Sequence, residues 1–174
     1  LINQRILFLL ALLCVCLCEA AVWERELLIS TRNTSLMLTA GEGESLKFAY
    51  YGDRIDDMER NRIHDAWIGL NKDAYPVFGT TCNFAHAMQV THADGNMTLD
   101  LVVSNVARET TERGEHIAIV MKDRLYPFEV TAHYNTLYND DIIESWIEVV
   151  HNEKKPVVLY RFDSSYMPIR RSDV

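Results

Sequence analysis

The chain has 174 residues, 25 acidic against 17 Lys and Arg side chains, and a net charge of −8. With 48% hydrophobic residues, eight Tyr, six Phe and three Trp, it has the apolar content of a packed domain, which excludes a disordered chain. The sign of the charge and the absence of a Lys/Arg run exclude a basic nucleic-acid platform, and the length suits one domain of about 100–200 residues.

Residues 1–20, LINQRILFLLALLCVCLCEA, open with Arg5 and continue in an apolar run from Ile6 to Leu17. A membrane-spanning helix needs about 20 apolar residues, so this run is too short and reads as a signal-peptide core. Cys18 and Ala20 are small residues placed for a cut before Ala21. The expectation is an exported protein, periplasmic or secreted. Lipidation of Cys18 ranks below simple export, because the residues before each Cys include Leu or Val. Cleavage leaves Cys82 as the only cysteine, which excludes an internal disulfide. Leu1 is not Met, and the end at Val174 follows closely on a strand-like run, so the sequence reads as a piece of a longer protein.

From Ser35 onward the pattern has period two. Ser35–Ala40 and Leu46–Tyr51 flank the turn Gly41-Glu42-Gly43-Glu44. Asp53–Ala74 breaks the rhythm: it is polar, charged and without alternation, and long connections of this kind are often functional. Ala87–His92 and Met97–Val106 flank Ala93-Asp94-Gly95-Asn96, and Asp-Gly predicts a hairpin. In His116–Asp123, Ile117, Ile119 and Met121 share a face; in Phe128–Tyr138, Phe128, Val130, Ala132, Tyr134, Thr136 and Tyr138 do so. After the turn at Asn139-Asp140, Ile143, Ser145, Ile147 and Val149 take one face, and Ile142, Trp146 and Val150 the other with Glu144 and Glu148. Beyond Asn152–Pro156, Val158, Tyr160, Phe162 and Ser164 continue the alternation. Short β-branched and aromatic runs between regular turns predict an all-β chain, a large antiparallel β-sandwich.

Few chemical motifs survive inspection. The six His are scattered, with no HExxH, CxxC, EF-hand, nucleotide-cradling glycine loop or GxSxG, so no cofactor or metal is expected. Cys82 and His86 lie four residues apart, a spacing too weak to make a catalytic pair. Glycosidic-bond cleavage uses two carboxyl groups flanking the bond. Asp56-Asp57 and Asp140-Asp141 are adjacent pairs, and neighbours on a strand point to opposite faces; Asp140-Asp141 reads as the closure of a hairpin. The sequons at Asn33 and Asn96 matter only in a eukaryotic secretory pathway.

Tyr75-Pro76-Val77-Phe78-Gly79, the strand at Ala87–Val90 and Asp94-Gly95 occur in an order that resembles the N-terminal domain of glycoside hydrolase family 36 α-galactosidases. So do Val130–Asn152, with Asp141-Ile142-Ile143-Glu144-Ser145-Trp146 inside it, and Leu159-Tyr160-Arg161-Phe162-Asp163-Ser164-Ser165. The resemblance runs from about Leu27 to the end. It implies a supersandwich, represented here by residues 21–174 and incomplete at the C-terminus, that precedes and packs on a (β/α)₈ barrel. The parent would be a retaining enzyme removing terminal α-galactose from oligosaccharides. Its nucleophile and acid/base Asp belong to the barrel, so no catalytic residue is carried over and the chain alone is expected to be inactive.

In oligomeric members, a loop of the sandwich reaches a neighbouring subunit's active site. The anchors Tyr51-Gly52 and Tyr75–Gly79 bracket the corresponding loop here. Asp56, Asp57 and Arg60 are its candidates for substrate contact, since carboxylates and guanidinium give directional bonds to sugar hydroxyls. Trp67 would stack on a sugar or pin the loop. The implied partners are an α-galactoside, the barrel and other copies in a homo-oligomer, with no nucleic acid and no membrane span. The alternative is a free-standing carbohydrate-binding sandwich. It would need an exposed aromatic row, for which Tyr134, Tyr138, Tyr160 and Tyr166 are candidates, although their alternation with apolar residues favours burial. An exposed apolar patch would instead mark a docking surface for the barrel.

Overall fold

The structure is a computed structural model and describes residues 26–56, 72–80 and 85–168. The expected signal segment, Asp57, Arg60, Trp67 and Cys82 lie outside the described residues. Among the described residues there are strands and no helices, and hence no helix long and apolar enough to cross a membrane.

A strand not read from the sequence, β1 (Glu26–Ser30), starts an antiparallel sheet with β2 (Thr34–Thr39) and β3 (Lys47–Asp53), in the order β1-β2-β3. The β2–β3 connection is the expected glycine turn, with Gly43 at φ 71°. Leu27, Ile29, Leu36, Leu38 and Phe48 face the main core, while Met37, Ala49 and Ile55 form a smaller cluster. β2 is therefore buried on both faces, which explains its nearly continuous SLML apolar centre.

The second sheet is a meander of β5 (Leu101–Thr111), β6 (Gly114–Asp123), β7 (Phe128–Leu137) and β8 (Ile142–His151). The expected faces are present. Ile117, Ile119, Met121, Phe128, Val130 and Ala132 are buried, and Ile143, Ile147 and Val149 pack against the same core. Ile142, Glu144, Trp146, Glu148 and Val150 are exposed on the opposite side of β8. Asp141, at φ 60°, closes the β7–β8 hairpin, a conformation that Asp tolerates better than most residues.

Two expectations need correction. The Asp94-Gly95 turn forms, with His92 N–H donating to Asn96 O (2.8 Å) and Gly95 N–H to His92 O (2.9 Å), but it closes no hairpin. β4 (Met88–Thr91) pairs with β9 (Val158–Phe162), whereas β5 pairs with β6. Past the turn the chain is drawn away from β4, and Leu99 N–H donates to Phe78 O (3.0 Å). The second correction concerns β9. It alternates as expected but has no buried face: every position is exposed, Tyr160 by 64% and Phe162 by 61%.

One buried ion-pair geometry joins the β4 side of the molecule to the connection that leads to β9. His92 Nδ1 lies 2.7 Å from Glu153 Oε1, and Ala93 N–H donates to Glu153 Oε2 (2.8 Å). Both side chains are nearly sealed from solvent, at 0% and 5% exposure. Tyr126 stacks on the His92 ring (centroids 3.7 Å apart, 8° between planes), and its hydroxyl donates to Asp94 and accepts from Asn96. Burial pushes the Glu153 carboxyl up, but the bonds from His92 and Ala93 outweigh it and hold the group below its ordinary value.

Glu153→Ala leaves buried donors unpaired and is expected to cost about 1–3 kcal/mol, read as a lower urea midpoint. Because the native carboxyl is held below its unfolded value, its contribution is present at neutral pH. It is lost as pH falls through the lowered value, so the gap between wild type and variant should close in acid.

Candidate functional site

The loop that the sequence singles out is tied down at both ends by β3 and its neighbours. On the outgoing side, Arg54 N–H donates to Asn33 O (2.6 Å) and Ile55 N–H to Ser35 Oγ (3.2 Å). The Arg54 guanidinium donates to Thr31 O (2.5 Å) and the Tyr138 hydroxyl (3.2 Å), and lies 5.6 Å from the Tyr138 ring centroid. Ile55 is buried in the smaller cluster, so Asp56, the next residue, emerges into solvent from a fixed base.

On the return side, Phe48 N–H donates to Lys72 O (2.9 Å) and Ala74 N–H to Leu46 O (2.9 Å). Asp73 accepts from Lys47 Nζ (2.6 Å) and Ser45 Oγ (3.1 Å). The segment thus leaves one end of β3 and returns to the other, about 20 Å away. Tyr75, in the second anchor, is buried and donates to Asp163 O (2.9 Å); burial, with Asp163 and Tyr134 nearby, pushes its phenol well up. Gly79 sits at φ 106°, and a Cβ there would meet Thr98 Cα at 2.8 Å. A side chain at that position is strained on both counts.

Of the three residues proposed for substrate contact, Asp56 is at the loop's outgoing end, and Asp57 and Arg60 lie outside the described residues. The geometry adds a polar constellation that sequence reasoning missed. Asp141 accepts from the Thr31 hydroxyl, from Asn33 N–H (3.0 Å) and from Asn33 Nδ2 (3.1 Å). Those bonds, the Thr31 hydroxyl first, hold its carboxyl down at about 2. Asp141, Asn33, Arg54 and Tyr138 therefore form one connected base beneath the loop's start. The only local signal was Asp141 itself, read correctly as a hairpin residue.

The aromatic candidates divide. Tyr134 packs on the core, and burial raises its phenol to about 12. Tyr166 is also packed there, whereas Tyr138 and Tyr160 are exposed. Among the described residues no group of three His, Cys, Asp or Glu is placed to hold a metal.

Residues 44–174 match the family model described as the glycosyl hydrolase family 36 N-terminal domain. The chain belongs to that family. No curated protein matches it. Among solved structures, the family 36 chain is similar to the α-galactosidase AgaA from Geobacillus stearothermophilus: 19% identity, TM-score 0.71, covering 80% of this chain and 24% of that one. It is similar to the α-galactosidase from Lactobacillus brevis: 19% identity, TM-score 0.68, covering 80% and 23%. The galactosidase domain of the α-galactosidase–sucrose kinase AgaSK matches at 14% identity and TM-score 0.71, covering 82% and 24%. Variants of AgaA were solved with raffinose and with stachyose. The family 36 chain thus shares its fold with these proteins and spans about a quarter of their length.

Asp141→Asn keeps a residue that tolerates positive φ but removes the charge. With the native carboxyl held at about 2 against about 3.9 unfolded, its contribution is present above the unfolded value and lost as pH falls toward the folded one. The variant should unfold at lower urea than wild type at neutral pH and match it near pH 2. A deficit equally large at both would show that the charge is not what the turn uses.

Proposed function

We propose that this chain is the N-terminal sandwich, residues 21–174 after an export signal, of a retaining α-galactosidase that removes terminal α-galactosyl residues from oligosaccharides outside the cytoplasm. In this reading it supports a (β/α)₈ barrel, and the loop between Asp53 and Ala74 lines the active site of a neighbouring subunit. The observation that carries the loop's role is its anchoring. Arg54 and Ile55 at one end, and Lys72 to Ala74 at the other, are bonded to the β1–β3 sheet and its turn, so both ends of the loop are held in a fixed frame.

In that frame Asp56 and Asp57 accept from sugar hydroxyls and Arg60 donates to them. Charge-assisted bonds of this kind discriminate a hydroxyl's presence strongly. The exposed Tyr160 and Phe162 of β9 support a docked body on that side, since a strand without a buried face gains little stability by itself.

The chain by itself is expected to leave α-galactosides uncleaved; turnover that co-purifies with this polypeptide would sink the proposal. In the full-length protein, Asp57→Ala and Arg60→Ala are each expected to lower kcat/KM for raffinose about ten- to hundredfold with little change in Tm. Unchanged kinetics in both variants would remove the loop from the site.

A further inference from the structure

The outer face of the four-stranded sheet carries two features that the loop reading leaves unused. The first is a groove of about 320 Å³ at the β6–β7 turn, walled by Tyr126, Pro127 and Val150 and rimmed by Lys122, Glu129 and Asn152. Its size lies at the lower end of small-ligand sites. Lys122 pairs across the sheet with Glu129, and Glu129 with Val150, so the three side chains cross one line of the outer face. The Lys122 ammonium and Glu129 carboxylate are 3.5 Å apart and balance each other. Asp123, also at the groove, spends its carboxylate on the N–H groups of Asp100, Leu125 and Tyr126. What remains is a donor, an acceptor and the Asn152 amide over an aromatic and aliphatic wall. Tyr126 is held in place by its stack on His92 and its two hydroxyl bonds.

The second feature is Trp146, four residues along β8 from Val150, about 13 Å away. Its indole lies parallel to His133 (4.8 Å, 5°) and His116 (5.5 Å, 4°). The two imidazoles are joined by an Nε2···Nδ1 bond of 3.1 Å, and His116 Nδ1 lies 3.1 Å from Glu109. The indole is thus braced from below and still 41% exposed. Glu144, which accepts from Asn135 Nδ2 (2.8 Å), and Glu148 flank it on the same face.

An immobilised aromatic plane beside hydroxyl acceptors, in line with a groove whose charged groups are each already partnered, suits a neutral polyhydroxylated chain. The flanking carboxylates and Asp123 repel an anion, while Glu129 is paired with Lys122 and Asp123 is already bonded to three backbone N–H groups, which leaves neither carboxylate free for a cation. We propose that the outer face of β6–β8 is a binding strip for a neutral pyranose oligosaccharide, one unit in the groove and another on Trp146. The strip uses residues of β6–β8 and of the connections at their ends, none of them in the Asp53–Ala74 loop, and stands whether or not that loop lines an active site.

The test is ¹⁹F NMR of the full protein labelled with 5-fluorotryptophan, titrated with stachyose. Trp146→Phe assigns its line. The Trp146 line should shift saturably. Lys122→Met and Asn152→Ala should each weaken that titration severalfold, and Trp146→Ala, read through the Asn152 amide, by about tenfold. Asp57→Ala should leave it unchanged. A Trp146 line that stays still under stachyose would overturn the proposal. So would one that moves only with tetramethylammonium chloride, or a response abolished by Asp57→Ala.

Discussion

Glu153 carries a carboxylate into a place where only 5% of its side chain meets solvent, and that is tolerable because one oxygen faces His92 and the other takes the Ala93 N–H. Through this contact the turn after β4 and the connection before β9 become one piece. Tyr126 adds the β6–β7 turn by stacking on the same imidazole, and Phe128, edge-on to that ring, belongs to the main core. Three connections that meet nowhere in sequence are thereby bound at one end of the sandwich. The β4–β9 pair, only two strands wide and exposed along β9, is seated by Met88 and Val90 in the main core and by this contact at its end. A two-stranded ribbon is marginal in water; the buried faces of Met88 and Val90 join it to the four-stranded sheet's core, and this contact fixes its end.

The opposite end of the molecule is organised by the same chemistry in the open. Asp141 gathers the Thr31 hydroxyl and both nitrogens of Asn33, and Arg54 reaches from the end of β3 to Thr31 and Tyr138. The β1–β2 turn, the β7–β8 hairpin and the start of the loop after β3 are thus linked by polar contacts at the surface. Such a base fixes the start of the loop, since ordering entropy that is lost on folding need not be lost again on binding.

Much of the architecture was legible because alternation records burial. Ile117, Ile119 and Met121 are sealed, while their neighbours meet solvent, and the same logic holds along β7 and β8. What was not legible was partnership. Asp94-Gly95 specifies a tight turn but not which strand its flanks will join, and β4 found its partner at β9. In β9 the alternation was present without burial, because a pattern states which faces differ and not what covers them. The same limit explains the site. Arg54 and Tyr138 are 84 residues apart, and Thr31 and Asp141 110. Such contacts leave no local trace, nor does the convergence of His116, His133 and Trp146 from three strands.

β8 ends its sheet, so among the described residues one of its sides has no hydrogen-bonded neighbour. Long, partly apolar edges invite pairing with another chain, and Ile142, Trp146 and Val150 make this one apolar at every second outward position. Glu144 and Glu148 stand in the gaps. Were two copies to pair antiparallel with Trp146 opposite Trp146, each Glu144 would face a Glu148, and like charges directly opposite destabilise a ladder. The two glutamates thus act as gatekeepers in the register that would bury both tryptophans, guarding the side of β8 that has no neighbour among the described residues.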